Sequence, residues 1–152
     1  MKKLIGKIVL VTGASSGIGA AIAREFSRQG ANLILLARNR ERLEAVEAEC
    51  LDLGASSVHL VEADTTDYPA IDAFAAGMKG HLDYLVLNAG ISQRSLAVET
   101  AEEVDRKVME VDFFAPVHLA KALYKAGKWD RTTHIAATSS IAGLFGFPQR
   151  SA

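Results

Sequence analysis

Short runs of apolar residues alternate along the chain with longer segments in which apolar residues recur every three or four positions. A short run of β-branched or leucine-rich residues is typical of a buried strand, whereas the wider spacing is typical of an amphipathic helix. The pattern predicts five strands, centred on residues 8–11, 33–36, 58–61, 84–87 and 134–137.

The segments between these strands predict four helices, each with an apolar stripe toward the core. The first three stripes are formed by Ile18, Ile22 and Phe26, by Leu43, Val46 and Cys50, and by Ile71, Phe74 and Met78. A long final segment carries the fourth stripe: Val104, Val108, Val111, Ala115, Leu119 and Ala122.

Strands that are apolar throughout and separated by helices predict an α/β fold, with a parallel sheet covered on both faces. Right-handed crossovers give a doubly wound strand order of 3-2-1-4-5. In such a sheet a ligand binds at the carboxyl ends of the strands, where the order reverses.

Composition indicates one domain spanning residues 1–152, because 152 residues with 49% hydrophobic content are enough for a single core. The net charge of −1 gives no reason to expect nucleic acid or a membrane surface as a partner. No apolar stretch reaches the ~20 residues that a membrane span needs. Cys50 is the single cysteine, so we expect no internal disulfide, a reducing compartment and a cytoplasmic location.

A glycine-rich turn, Thr12-Gly13-Ala14-Ser15-Ser16-Gly17-Ile18-Gly19, follows the first strand and opens the first helix. Glycines in this setting let the backbone turn tightly and approach a pyrophosphate, which the first N–H groups of the helix then bind. We therefore expect a phosphate-binding site formed by Gly13, Ser15, Ser16, Gly17, Ile18 and Gly19.

The spacing of these glycines resembles that of the short-chain dehydrogenase/reductase family. Two further motifs follow in the order of that family: Asn88-Ala89-Gly90 after the fourth strand and Thr138-Ser139-Ser140-Ile141-Ala142-Gly143 after the fifth. The resemblance covers nearly the whole chain. It implies a Rossmann-like fold and an oxidoreductase that transfers a hydride between a nicotinamide cofactor and a carbonyl or alcohol.

The second strand ends in Ala37-Arg38, where an NAD site needs an acidic residue for the ribose hydroxyls. A guanidinium pairs with a 2′-phosphate, so Arg38 predicts NADP(H) as the cofactor. The alternative is an arginine that is simply solvated at the start of a helix. The four histidines have no ligand spacing, and we expect no metal site.

Two other strand ends are expected to contact the cofactor. The resemblance implies that Asp64, with Thr65 beside it, contacts the adenine amine, although Asp64 is equally suited to capping a turn with Thr65 and Thr66. Asn88, Ala89 and Gly90 would let the ribose on the nicotinamide side approach the backbone.

The resemblance implies that Ser140 hydrogen-bonds the substrate oxygen, although a serine at a strand end is also common in turns. Asp112 stands where the family usually has the asparagine of a proton relay. Since Pro116 cannot donate to the carbonyl of residue 112, that carbonyl is expected to be free for a water, unless the segment is a plain helix kink.

In the family a tyrosine follows the serine by thirteen residues and a lysine follows four later, which here falls beyond Ala152. We therefore expect an incomplete fold, inactive by itself, that in complete form is a homo-oligomeric NADP(H)-dependent oxidoreductase. The alternative is a non-catalytic nucleotide-binding fragment or decoy that pairs with a partner chain.

Overall fold

The computed structural model describes residues 3–144, whose strands form one parallel sheet. The strands are β1 (Ile8–Thr12), β2 (Asn32–Ala37), β3 (Ser57–Glu62), β4 (Tyr84–Leu87) and β5 (His134–Ala137). Their order in the sheet is β3-β2-β1-β4-β5, and every neighbouring pair is parallel. The predicted α/β fold class and strand order are confirmed.

Five α-helices connect the strands in the described part of the chain: α1 (Gly17–Arg28), α2 (Arg40–Asp52), α3 (Tyr68–Gly77), α4 (Glu102–Met109) and α5 (Ala115–Lys125). Short 3-10 turns occupy Ala97–Glu99 and Ile141–Gly143. None of the helices among residues 3–144 is long and apolar enough to cross a membrane.

The single long helix predicted for the final apolar segment is wrong, because a π-helical turn, Glu110–Phe114, separates α4 from α5. The Ala115 N–H donates to the Glu110 carbonyl, five residues back instead of four. Pro116 follows directly and has no N–H, so the regular α-helical ladder cannot continue through this point.

The sheet has an apolar core on each face. Helices α1 and α2 cover one core, in which Leu43, Val46 and Cys50 are buried as predicted. Helices α3 and α5 cover the other, which contains Ile71, Met78 and Leu119. Strands β1, β2 and β4 are buried between the two, whereas all four residues of β5 are exposed.

Two residues assigned to apolar stripes do not face the core. Ile18 is 62% exposed, because the first turn of α1 projects past the carboxyl edge of the sheet. Val104 is 39% exposed near the start of α4. The helical spacing is correct in both segments, but spacing alone does not tell where a helix extends beyond the strands it covers.

The first turn of α1 packs unusually close to the turn that follows β1. An added Cβ on Gly19 would overlap the Gly13 carbonyl oxygen and lie 2.6 Å from Asn88 Nδ2. An added Cβ on Gly13 would lie 2.9 Å from the Ala89 Cα atom. Glycines at these positions therefore let α1, β1 and the segment after β4 meet at one edge of the sheet.

Gly19→Ala should destabilise the fold by about 1 to 3 kcal/mol, since the added methyl overlaps backbone that cannot move freely. Gly77→Ala is the matched control: Gly77 also lies in a helix, and its added Cβ meets nothing within 4 Å. That control should instead stabilise by up to about 1 kcal/mol through helix propensity. Urea unfolding measures both, and equal effects would contradict the proposed close packing.

At the opposite edge, Asp83 joins the starts of β1 and β4. Its carboxylate accepts the Ile8 N–H at 2.9 Å and the Lys7 ammonium at 2.8 Å. Burial raises the pKa of Asp83, but Lys7 and the Ile8 N–H outweigh it, so the pKa lies below its usual value. The ionised form is therefore favoured in the folded state.

Asp83→Asn should therefore lower stability in a pH-dependent way. A depressed folded pKa contributes stability above the unfolded pKa of about 3.9, and that contribution is lost as pH falls through the folded value. Urea midpoints of wild type and variant should differ most above about pH 5 and converge below the folded pKa. Asp52→Asn, at the C-terminal end of α2, is the control and should not lower the urea midpoint either above about pH 5 or in acid. A gap that persists unchanged in acid would contradict this role.

Candidate functional site

Hydrogen bonds between Thr12 and Asn88 join the carboxyl ends of β1 and β4. The Thr12 hydroxyl oxygen accepts the N–H groups of Asn88 at 2.9 Å and Ala89 at 3.0 Å. The Asn88 amide donates to the Thr12 carbonyl at 3.1 Å and accepts the Thr138 hydroxyl at 2.9 Å. These bonds fix the ends of β1, β4 and β5 relative to one another.

The glycine turn beside this network bends tightly and borders open space. Gly13 and Gly17 adopt left-handed backbone angles, with φ of 65° and 52°. An added Cβ on Gly17 would meet nothing within 4 Å, so the turn borders an unfilled volume. The first N–H groups of α1 have no acceptor within the helix, and its first turn contains no acidic residue. Such a helix end suits an anion.

A cavity of about 740 Å³ opens at this edge of the sheet. Most of the residues predicted to bind a cofactor line it: Gly13, Ser15, Ser16, Gly17, Ile18, Arg38, Asp64, Thr65, Asn88, Ala89 and Gly90. Gly19, Asp112 and Ser140 do not line it. The side chain of Ile18 is exposed instead of buried in the core because it borders this cavity.

The far end of the cavity holds its charged residues. Arg38 and Asp64 lie with Nη1 and Oδ2 3.6 Å apart, both well exposed. Asp64 also accepts the N–H and the hydroxyl of Thr66, at 2.9 and 2.8 Å, so the turn considered for it is formed. Burial raises the pKa of Asp64, but the bonds from Thr66 and the charge of Arg38 bring it below its usual value.

The sequence analysis missed Arg42, which lines the same end of the cavity. It follows Arg38 by four residues and lies in the first turn of α2, where Asn39 accepts its backbone N–H at 2.8 Å. This four-residue spacing from Arg38 was the sequence feature that could have indicated Arg42 as a second binding residue. Two arginines and one aspartate are thus the charged residues lining the cavity among residues 3–144.

The two residues expected to take part in catalysis lie beside the cavity. Asp112 is exposed within the π turn, and its Oδ1 accepts the Ile91 N–H at 2.8 Å. Ser140 is exposed three residues past β5, and its hydroxyl oxygen accepts the Ala142 N–H at 3.1 Å. Thr138, two residues earlier, lines the cavity. The bond from Ile91 to Asp112 was not foreseen.

Comparison with known proteins places this geometry in a family. A model of the family described as "short chain dehydrogenase" matches residues 7–152. The chain is 42% identical to dehydrogenase/reductase SDR family member 7B of Bos taurus, an alignment that covers 95% of this chain and 47% of that protein. The chain thus spans about half the length of the curated relatives it matches.

Solved structures of other proteins share the fold of this chain. A putative short chain dehydrogenase from Pseudomonas syringae superimposes with a TM-score of 0.88 at 31% identity, covering 97% of this chain and 64% of that one. An NAD⁺-bound xylitol dehydrogenase superimposes with a TM-score of 0.89 at 28% identity, covering 99% and 59%. The fold of this family implies a nicotinamide dinucleotide as the cofactor class. The chain belongs to the short-chain dehydrogenase family.

Proposed function

We propose that the protein is an NADP(H)-dependent oxidoreductase that interconverts a ketone or aldehyde and an alcohol by hydride transfer. The observation that carries the proposal is the pairing of two features in one cavity. The glycine turn and the free end of α1 lie at the centre, and Arg38 lies at the end of β2 where an acidic residue would select NAD(H). A cytoplasmic location and a homo-oligomeric state stay predictions.

The residues that line the cavity suit a dinucleotide along its whole length. The N–H groups of Gly17 and Ile18 would hold the pyrophosphate, and the bare backbone of Ala89 and Gly90 leaves room for the ribose on the nicotinamide side. Asp64 would accept from the adenine amine. When bound, the nicotinamide supplies the hydride chemistry, and the protein binds and orients.

Electrostatics favour a 2′-phosphate at the adenosine end. Arg38 and Arg42 bring two positive charges there against the single negative charge of Asp64. The Arg38 guanidinium lies 3.6 Å from Asp64, longer than a charge-assisted hydrogen bond, and is 66% exposed. It can therefore turn to a phosphate at little cost. Arg38 would bind the 2′-phosphate through two parallel hydrogen bonds, and Arg42, in the first turn of α2, would add a second positive charge.

Ser140 and Asp112 are proposed to serve the substrate side. The Ser140 hydroxyl would donate to the substrate oxygen. Its hydrogen bond with the Ala142 N–H uses the oxygen as an acceptor and leaves the hydroxyl proton available. Asp112 would take the relay position through its main-chain carbonyl, since its side chain is engaged with Ile91. Neither side chain is assigned the proton transfer, which in the family pattern belongs to a tyrosine thirteen residues after the serine.

A second candidate function rests on the surface beside β5. An apolar groove of about 480 Å³ lies there, lined by Leu87, Phe113, Pro116, Val117, Ala120, Tyr124, Trp129 and Ala137 together with two lysine stems. Such a groove suits the docking of a partner chain, as expected if this protein binds a nucleotide without catalysing a reaction.

Oxidation of NADPH in the presence of a panel of ketones and aldehydes distinguishes the two functions, since a protein that only binds the nucleotide leaves the reduced nicotinamide unchanged.

Arg38→Ala should weaken NADPH binding by about 1.5 to 3 kcal/mol, roughly tenfold to 150-fold, because a charge-assisted hydrogen bond to the phosphate is lost. NADH has no 2′-phosphate, and its affinity should stay within about twofold of wild type. Fluorescence titration with both cofactors measures the difference.

Arg40→Ala is the matched control. Arg40 is two residues away, but its guanidinium pairs with Glu44 at 2.8 Å and does not line the cavity. It should leave both affinities near those of wild type. If Arg38→Ala weakened NADH and NADPH equally, the assignment of Arg38 to the phosphate would be wrong.

A further inference from the structure

Four polar side chains join α3 to the π turn and to α5, outside the cavity. Tyr68, the first residue of α3, donates its hydroxyl to the carboxylate of Glu110, the first residue of the π turn. The Tyr68 ring stacks on His118 of α5, with ring centroids 4.1 Å apart and an interplanar angle of 16°. His118 Nε2 lies 2.9 Å from Asp72 Oδ1, one turn further along α3.

The three residues that begin the π turn connect this cluster to the cavity. Glu110 is held by Tyr68, and Val111 lines the cavity itself. Asp112 holds the Ile91 N–H at 2.8 Å, and its Oδ1 lies 3.4 Å from where a Cβ on Gly90 would stand. Gly90 and Ile91 both line the cavity. Helix α3 is therefore connected to the cavity wall through three consecutive residues.

We propose that Tyr68 and Glu110 are positioning residues for the cofactor site, fixing the π turn so that Asp112 retains the Ile91 N–H and the Gly90–Ile91 wall keeps its place. This inference rests on the proposed function, since it assigns the contact to nucleotide affinity. Neither side chain lines the cavity.

The π turn is the segment that needs such an anchor. Its hydrogen bonds span five residues, a geometry that occurs mostly as single turns inside α-helices, and Pro116 contributes no donor to stabilise the turn that follows. The hydrogen bond to Glu110 raises the pKa of Tyr68, so the protonated hydroxyl that donates this bond is favoured in the folded state. Both partners are half-buried, which limits competition from water.

The test uses the protein as its gene encodes it, with NADPH as the probe. Tyr68→Phe and Glu110→Ala should each weaken NADPH binding by about two- to tenfold, as expected for one lost hydrogen bond. Glu110→Gln keeps an acceptor and should bind within about twofold of wild type. Tyr124→Phe removes a hydroxyl from an exposed ring of α5 that does not line the cofactor cavity, and it should leave NADPH affinity unchanged.

Two further readouts separate positioning from general stability. Without nucleotide, Tyr68→Phe should speed amide hydrogen exchange at Ile91, while the buried amide of Leu10 in β1 exchanges only in step with any loss of global stability. In an Asp112→Ala background, Tyr68→Phe should cause no further loss of NADPH affinity, because the contact acts through Asp112.

Unchanged Ile91 exchange in Tyr68→Phe, or an equal loss of affinity with and without Asp112, would overturn the positioning role. Failure of the wild-type protein to bind any nicotinamide nucleotide would instead overturn the proposed function. The exchange measurement at Ile91 remains decisive for the positioning contact in that case, because it needs no nucleotide.

Discussion

The hydrogen bonds between Thr12 and Asn88 are the contact on which the functional edge of this sheet depends. Strands β1 and β4 are neighbours, but the helices that follow them pack on opposite faces of the sheet, α1 on one and α5 on the other. Thr12 accepts two N–H groups from the segment after β4, and Asn88 returns a donor to β1. These bonds continue the pairing of the two strands past the end of their ladder at Val11 and Val86, and so fix the two segments that border the cavity.

Close packing around this contact then decides which residues are tolerated. The Ala89 Cα atom lies so near to Gly13, and the Gly13 carbonyl oxygen so near to Gly19, that neither glycine position has room for a side chain. Gly17 faces the open cavity. The same tight approach aims the N-terminus of α1 into the cavity. At the far end of the cavity, Arg38, Arg42 and Asp64 lie close together because β2 and β3 end side by side.

The sequence predicts the strands, their order and most residues of the cavity, because apolar runs, glycine turns and strand ends are local signals. It does not predict the π turn, since the periodicity of apolar residues passes through Glu110–Phe114 without a visible break. The bonds from Tyr68 to Glu110 and from Ile91 to Asp112 join residues 42 and 21 positions apart. Only the packing of α3 and the β4 loop against the π turn brings these pairs together. Ile18 fits a core stripe by spacing, and only the length of the sheet shows that it faces the cavity.

The glycine turn and the segment after β4 are proposed to form a single dinucleotide site. A map of backbone amide chemical shifts during a titration with NADPH tests it most directly. Saturable shifts concentrated at residues 13–19, 38–42 and 88–91, with the outer face of α2 unaffected, are the predicted result. Shifts that do not saturate, or that cluster away from the carboxyl ends of β1, β2 and β4, would contradict the claim.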